Sequence, residues 1–101
     1  MKVNIQSVNF NIDKSLNDFI QTKIDNLEKY YDKIIGAEVY LKVQNTSEKE
    51  NKIAEIKMLI PGDELIVKKE CKTFEEAIDL IAEALRRQLC KKKDKQRSHH
   101  V

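Results

Sequence analysis

At 101 residues the chain is the size of one domain, with enough surface to bury for one modest core. It is 41% hydrophobic and 36% charged, with a net charge of +2. No run of eighteen apolar residues occurs, which excludes a membrane-spanning helix. Met1 and Lys2 lead into alternating residues instead of an apolar signal-peptide core, so no export and a cytoplasmic location are expected. Cys71 and Cys90 lie far apart and match no metal or redox spacing; they are expected to be reduced bystanders.

Lys2 to Ser7 alternates, with Val3 and Ile5 on one face, and reads as a first strand. Val8, Phe10 and Ile12 lead towards a helix capped by Asp13. Leu16, Phe19, Ile20, Ile24, Leu27, Tyr30 and Tyr31 mark one apolar stripe, four to five turns long. Gly36 is expected to end this unit. From Ala37 to Val43 the alternation returns, with Val39, Leu41 and Val43 on one side and Glu38, Tyr40 and Lys42 on the other. Residues 44–52 contain no apolar side chain and read as a mobile hairpin loop or a disordered tip. A third strand, Ile53 to Ile60, points Ala54, Ile56, Met58 and Ile60 one way. Pro61, Gly62 and Asp63 spell a turn, because proline fixes φ and glycine accepts φ > 0. Leu65 to Glu70 is a fourth strand, with Leu65 and Val67 inward.

The last helix is expected from Thr73 to Lys95. Phe74, Ala77, Ile78, Ile81, Ala84, Leu85 and Leu89 form its apolar stripe. Thr73 stands at the N-cap, and Glu75, Glu76 and Asp79 fill the first turns. From Arg86 onward seven basic residues face the single acid Asp94, a formal +6, so residues 1–85 carry −4. One or two bases satisfy a helix dipole, whose effect ends within the last turn. The excess points to a polyanion-binding surface, nucleic acid above all. A short tail from residue 96 to Val101 is expected to be flexible.

The order β-α-β-β-β-α predicts a two-layer α+β domain with a four-stranded mixed sheet. The first helix is a crossover, so strands one and two are parallel if adjacent, with a right-handed connection. Strand alternation leaves one sheet face to be covered by both amphipathic helices.

Catalysis needs a nucleophile, a base and an orienting group, or a metal cluster. The only histidines, His99 and His100, sit in the tail, and the acid pairs Glu75/Glu76 and Glu48/Glu50 fall on a helix start and a loop tip. Only two glycines occur, Gly36 and Gly62, so no phosphate loop exists. The chain is expected to be no enzyme and to use no cofactor or metal. Tyr40, outward beside Lys42, has the position of a base-stacking sheet aromatic. Without a second aromatic beside it, cross-strand packing is the expectation.

Three segments, LEKYYDKI at 27–34, VYLKV at 39–43 and LRRQLCKKKDK at 85–95, carry a resemblance that spans nearly the whole chain. The chain resembles the short-form ribosome hibernation promoting factors and the ribosome-associated inhibitor protein Y. The distinctive part is a Leu-x-Arg-Gln-Leu-x-Lys-x-Lys pattern, met by Leu85, Arg87, Gln88, Leu89, Lys91 and Lys93, with Lys95 extending it. The family fold has the element order read above, with both helices on one sheet face.

The resemblance implies a protein that binds the small ribosomal subunit in the channel shared by mRNA and the A- and P-site tRNAs. It contacts 16S rRNA through the second helix and stops translation in stationary phase or starvation. Carried over by position, Arg87, Lys91, Lys93 and Lys95 are the implied rRNA contacts, with Lys23 and Lys42 matching further basic positions. Ala84 and Asn26 stand where relatives carry lysines, and the additional bases Arg86 and Lys92 compensate. Thr73 replaces a common Asp cap. No DNA, membrane or second-subunit partner is implied, and a monomer is expected off the ribosome. Because the chain stops at Val101, the expectation is the short form, without a ribosome-pairing domain. Two other classes compete: a generic RNA-binding module and a protein-interaction module. Double-stranded RNA modules carry their lysines at the start of the last helix, which is acidic here.

Overall fold

The computed structural model describes residues 2–8, 10–44 and 51–98, the side chains only as far as Lys92. Six elements follow one another: β1 (Lys2–Val8), α1 (Lys14–Leu27), β2 (Gly36–Val43), β3 (Lys52–Ile60), β4 (Asp63–Cys71) and α2 (Phe74–Ser98). The sheet order is β1-β2-β3-β4, with β1 parallel to β2 and the other neighbours antiparallel. This is the expected two-layer α+β architecture. The expected loop at 44–52 falls largely outside the described residues; its closure is visible where the Gln44 amide donates to the Asn51 carbonyl at 2.8 Å. His99 and His100 also lie outside them, while α2 continues past Lys95 to Ser98.

The strand alternation divides the sheet into two chemically different faces. Val39, Leu41, Ala54, Ile56 and Met58 are fully buried beneath the helices. They meet Ile20 and Ile24 of α1 and Ile78, Ile81, Leu85 and Leu89 of α2, also fully buried. Among the described residues no charged side chain is buried with them, and no buried side-chain nitrogen or oxygen lacks a hydrogen-bond partner. The opposite face carries Lys2, Lys42, Lys57 and Lys68 against Glu38, Glu55, Glu64 and Glu70, which balance formally. The sheet therefore presents no net charge to solvent; any excess must come from elsewhere.

Both helices start on side-chain caps that satisfy otherwise unpaired amides. Asp13 Oδ1 accepts from the Leu16 amide at 2.7 Å, and Thr73 Oγ1 accepts from the Glu76 amide at 3.1 Å. Phe10 stacks on Phe74 with ring centroids 4.8 Å apart, joining the link before α1 to the start of α2. Gly62 adopts φ 77°, the left-handed conformation that the β3–β4 turn demands of it.

Two expectations are corrected. The stripe of α1 does not run on through both tyrosines, because the helix ends at Leu27. The next amides bond three residues back, Glu28 to Asp25, Lys29 to Asn26 and Tyr30 to Leu27. That tighter winding alters the phase of the side chains, leaving Tyr30 39% exposed while Tyr31 is buried. Gly36 does not end the helical unit; it opens β2 at the point where β1 lies alongside. A Cβ at this position would stand 2.9 Å from the Lys2 carbonyl oxygen, a backbone atom. Gly36→Ala is expected to force β1 outward and destabilise the fold by about 1–3 kcal/mol, measurable in a urea melt.

Candidate nucleic-acid interface

Arg87 and Lys91 near the basic end of α2 are exposed because they lie off its core stripe. Among the described residues Leu85 and Leu89 are the last fully buried side chains, and Arg86, Arg87, Lys91 and Lys92 occupy the flanks between and beyond them. Arg87 is widely open, with 69% of its side chain accessible. Lys91 follows one turn later on the same flank, exposed and, among the described residues, without an ion pair. Lys93 and Lys95 continue along the backbone of the same helix.

Arg86, Lys92 and Lys23 are held by acids. Glu83 binds Arg86 through two guanidinium nitrogens, Nε at 3.2 Å and Nη2, and also meets Arg87 Nε at 3.5 Å. The hydrogen bond from Arg86 holds the Glu83 carboxyl below the ordinary range, and Glu83 in turn raises the Arg86 guanidinium. Lys92 donates to Asp63 on the β3–β4 turn, and this bond lowers the Asp63 carboxyl, assisted by the Glu64 amide at 2.8 Å. Lys23 of α1 crosses to Asp79 of α2 at 2.7 Å and sits 5.4 Å from the Phe19 ring centre. All these pairs are substantially exposed and hold their partners weakly. A phosphate arriving at Lys92 can replace the Asp63 carboxylate, because it offers the same charge-assisted bond.

The structure therefore gathers Lys23, Arg86, Arg87, Lys91 and Lys92 on the helical layer, with Lys93 and Lys95 continuing the helix. Lys42 is not among them. It lies on the outer sheet face, in register with Val8 and Ile53, with the core between it and α2. Tyr40 on that face donates to Glu38 Oε2 at 3.2 Å, and the Glu38 charge raises its hydroxyl pKa. Its register neighbours are Gln6 and Glu55, so no aromatic platform forms on the sheet.

Sequence reading missed Asp63, Asp79, Glu83 and Tyr30. The spacing of Glu83 to Arg86 and Arg87, three and four residues, is legible on any helix. The other two ion pairs join separate elements and leave no local signal. Lys23, Asn26, Tyr30, Asp79, Glu83 and Arg86 surround a groove of about 430 Å³ between the two helices. Arg86 lies over Tyr30 there, its guanidinium carbon 5.8 Å from the ring centre.

The fold is a small two-layer α+β domain whose sequence concentrates its basic excess at the end of the last helix. Residues 3–97 match the family described as Sigma 54 modulation protein / S30EA ribosomal protein, and the chain belongs to that family. It is 35% identical over 98 residues to a ribosome hibernation promoting factor of Pseudomonas putida, covering 97% of this chain and 92% of that one. It is 34% identical over 99 residues to the Klebsiella oxytoca factor of the same name, covering 98% and 100%. Among solved structures, the N-terminal domain of Thermus thermophilus protein Y superposes with a TM-score of 0.79 at 26% identity, covering 90% and 98%.

Proposed function

We propose that this protein is a ribosome hibernation factor. It binds the small subunit in the channel shared by mRNA and the A- and P-site tRNAs, and contacts 16S rRNA through the basic end of α2. Occupancy excludes tRNA and mRNA sterically, and nothing is turned over. The observation that carries the reading is the exposed pair Arg87 and Lys91 on α2, which Lys93 and Lys95 follow along the same helix, in the Leu-x-Arg-Gln-Leu-x-Lys-x-Lys setting of a chain that belongs to the S30EA family. Arg87 and Lys91 are not consumed by packing, and the balanced outer sheet face offers polyanions no comparable attraction. Lys42 contributes to long-range attraction from the far side of the sheet instead of joining the same contact surface.

The test is co-sedimentation with purified small subunits across a salt series. Binding weakens steeply with salt, since each neutralised phosphate releases counterions. Excess tRNA with mRNA competes it off, and inhibition of a cell-free translation reaction tracks the molar ratio of protein to ribosomes. Binding indifferent to tRNA and mRNA would place the site elsewhere. Ribosomes that stay inactive after the protein is washed away would point to an enzyme.

A further inference from the structure

Arg86 differs from the bases around it. One edge of its guanidinium is taken by Glu83, through Nε and Nη2, and its central carbon lies over the Tyr30 ring, 5.8 Å from the centre. Its charge is thus compensated while its plane is fixed. Across the groove Lys23 is likewise neutralised by Asp79. A phosphate entering between these helices meets two carboxylates, Asp79 and Glu83, and cations that are already paired. A neutral, flat group meets no such repulsion. It finds an exposed aromatic ring, a guanidinium plane and, in Asn26, a side-chain amide that both donates and accepts. The groove volume of about 430 Å³ lies in the range of sites for single small ligands.

We infer that the α1–α2 groove receives one unpaired nucleobase of RNA, stacked on the Tyr30–Arg86 platform with its edge towards Asn26. This deepens the proposed function and rests on it: the flanking phosphates of the same strand reach Arg87, next in the chain to the groove residue Arg86, and Lys91 one helical turn further, on the flank of α2 turned towards Leu65 of β4. Unpaired bases in RNA are commonly held on aromatic rings and guanidinium planes, which read shape without adding charge. Arg86 is then a stacking residue, whereas Arg87 and Lys91 are phosphate ligands, although all three are basic and close in sequence.

The two roles separate by salt dependence. A lost phosphate contact lowers the slope of log affinity against log salt by somewhat less than about one unit. A lost stack weakens binding and leaves the slope alone. Labelled protein is titrated with purified small subunits by anisotropy at several potassium chloride concentrations. Tyr30→Ala and Arg86→Lys, the latter keeping the charge but losing the plane, each weaken binding about five- to 150-fold at every salt, with the slope unchanged. Tyr30→Phe binds like wild type, because the ring is retained, and Lys91→Gln lowers the slope. Melting curves check that each variant is folded. If Tyr30→Ala or Arg86→Lys binds within about twofold of wild type, or if either lowers the slope, the base site is wrong while the phosphate surface stands. If the wild-type protein fails to bind small subunits at any salt, the proposed function falls, and this site with it.

Discussion

Arg87→Glu combined with Lys91→Glu abolishes binding to the small subunit and leaves the melting curve nearly where it was. The two side chains share a flank of α2, four residues apart, and neither belongs to the core stripe. Reversal removes two cations and adds two anions on one strip of surface, so phosphates are repelled at the point where they were attracted. Charge reversal at exposed positions changes stability by only about 0.5 kcal/mol. Arg87 does lose its contact with Glu83, but that pair is long, exposed and shared with Arg86, which retains two bonds to the same carboxylate. Reversal of Glu48 and Glu50 to Lys is the control and leaves binding intact. The measurement is co-sedimentation beside a thermal melt. A folded double variant that still inhibits translation at wild-type concentrations would remove the basic helix from the binding surface.

Leu85→Ala gives the opposite pattern, lost stability with the basic surface chemically unchanged. Leu85 is fully buried in the interface between α2 and the sheet, on the stripe with Phe74, Ile78 and Ile81. Truncation removes the transfer free energy of the side chain and leaves a cavity that β3, β4 and α1 cannot close together. The expected loss is about 2–5 kcal/mol, a large fraction of the roughly 5–15 kcal/mol that holds a domain of this size. The melting temperature should fall by at least about 8 °C. At a temperature where the variant remains folded, binding should persist, since Arg87 and Lys91 still project from the same helix. A shift below about 0.5 kcal/mol in a denaturant melt would contradict the packing of this face.

The sequence by itself determined the elements and their inner faces. Alternation at Val39 and Leu41, and at Ala54, Ile56 and Met58, named the buried side of the sheet. The spacing of Ile78, Ile81, Leu85 and Leu89 named the buried side of α2. Asp13, Thr73 and Gly62 marked boundaries by their own chemistry. These signals are local: each depends on a repeat of two or 3.6 residues or on one residue's preferred backbone, and the chain carries them before it folds. The concentration of bases after Arg86 was equally plain. What bonded with what across the fold was not. Lys23 and Asp79 are 56 positions apart in the chain and meet only because α1 lies against α2. Lys92 reaches Asp63 only because the β3–β4 turn comes up beside the end of α2. Tyr30 left the stripe because the chain tightened after Leu27, and Arg86 then came to lie over its ring. Lys42, a base like the others in sequence, was set apart by strand parity and by which sheet face the helices cover. Composition counts charges, but a binding surface depends on which of them share a side and which are already neutralised. Those relations exist only once the helices are packed on the sheet.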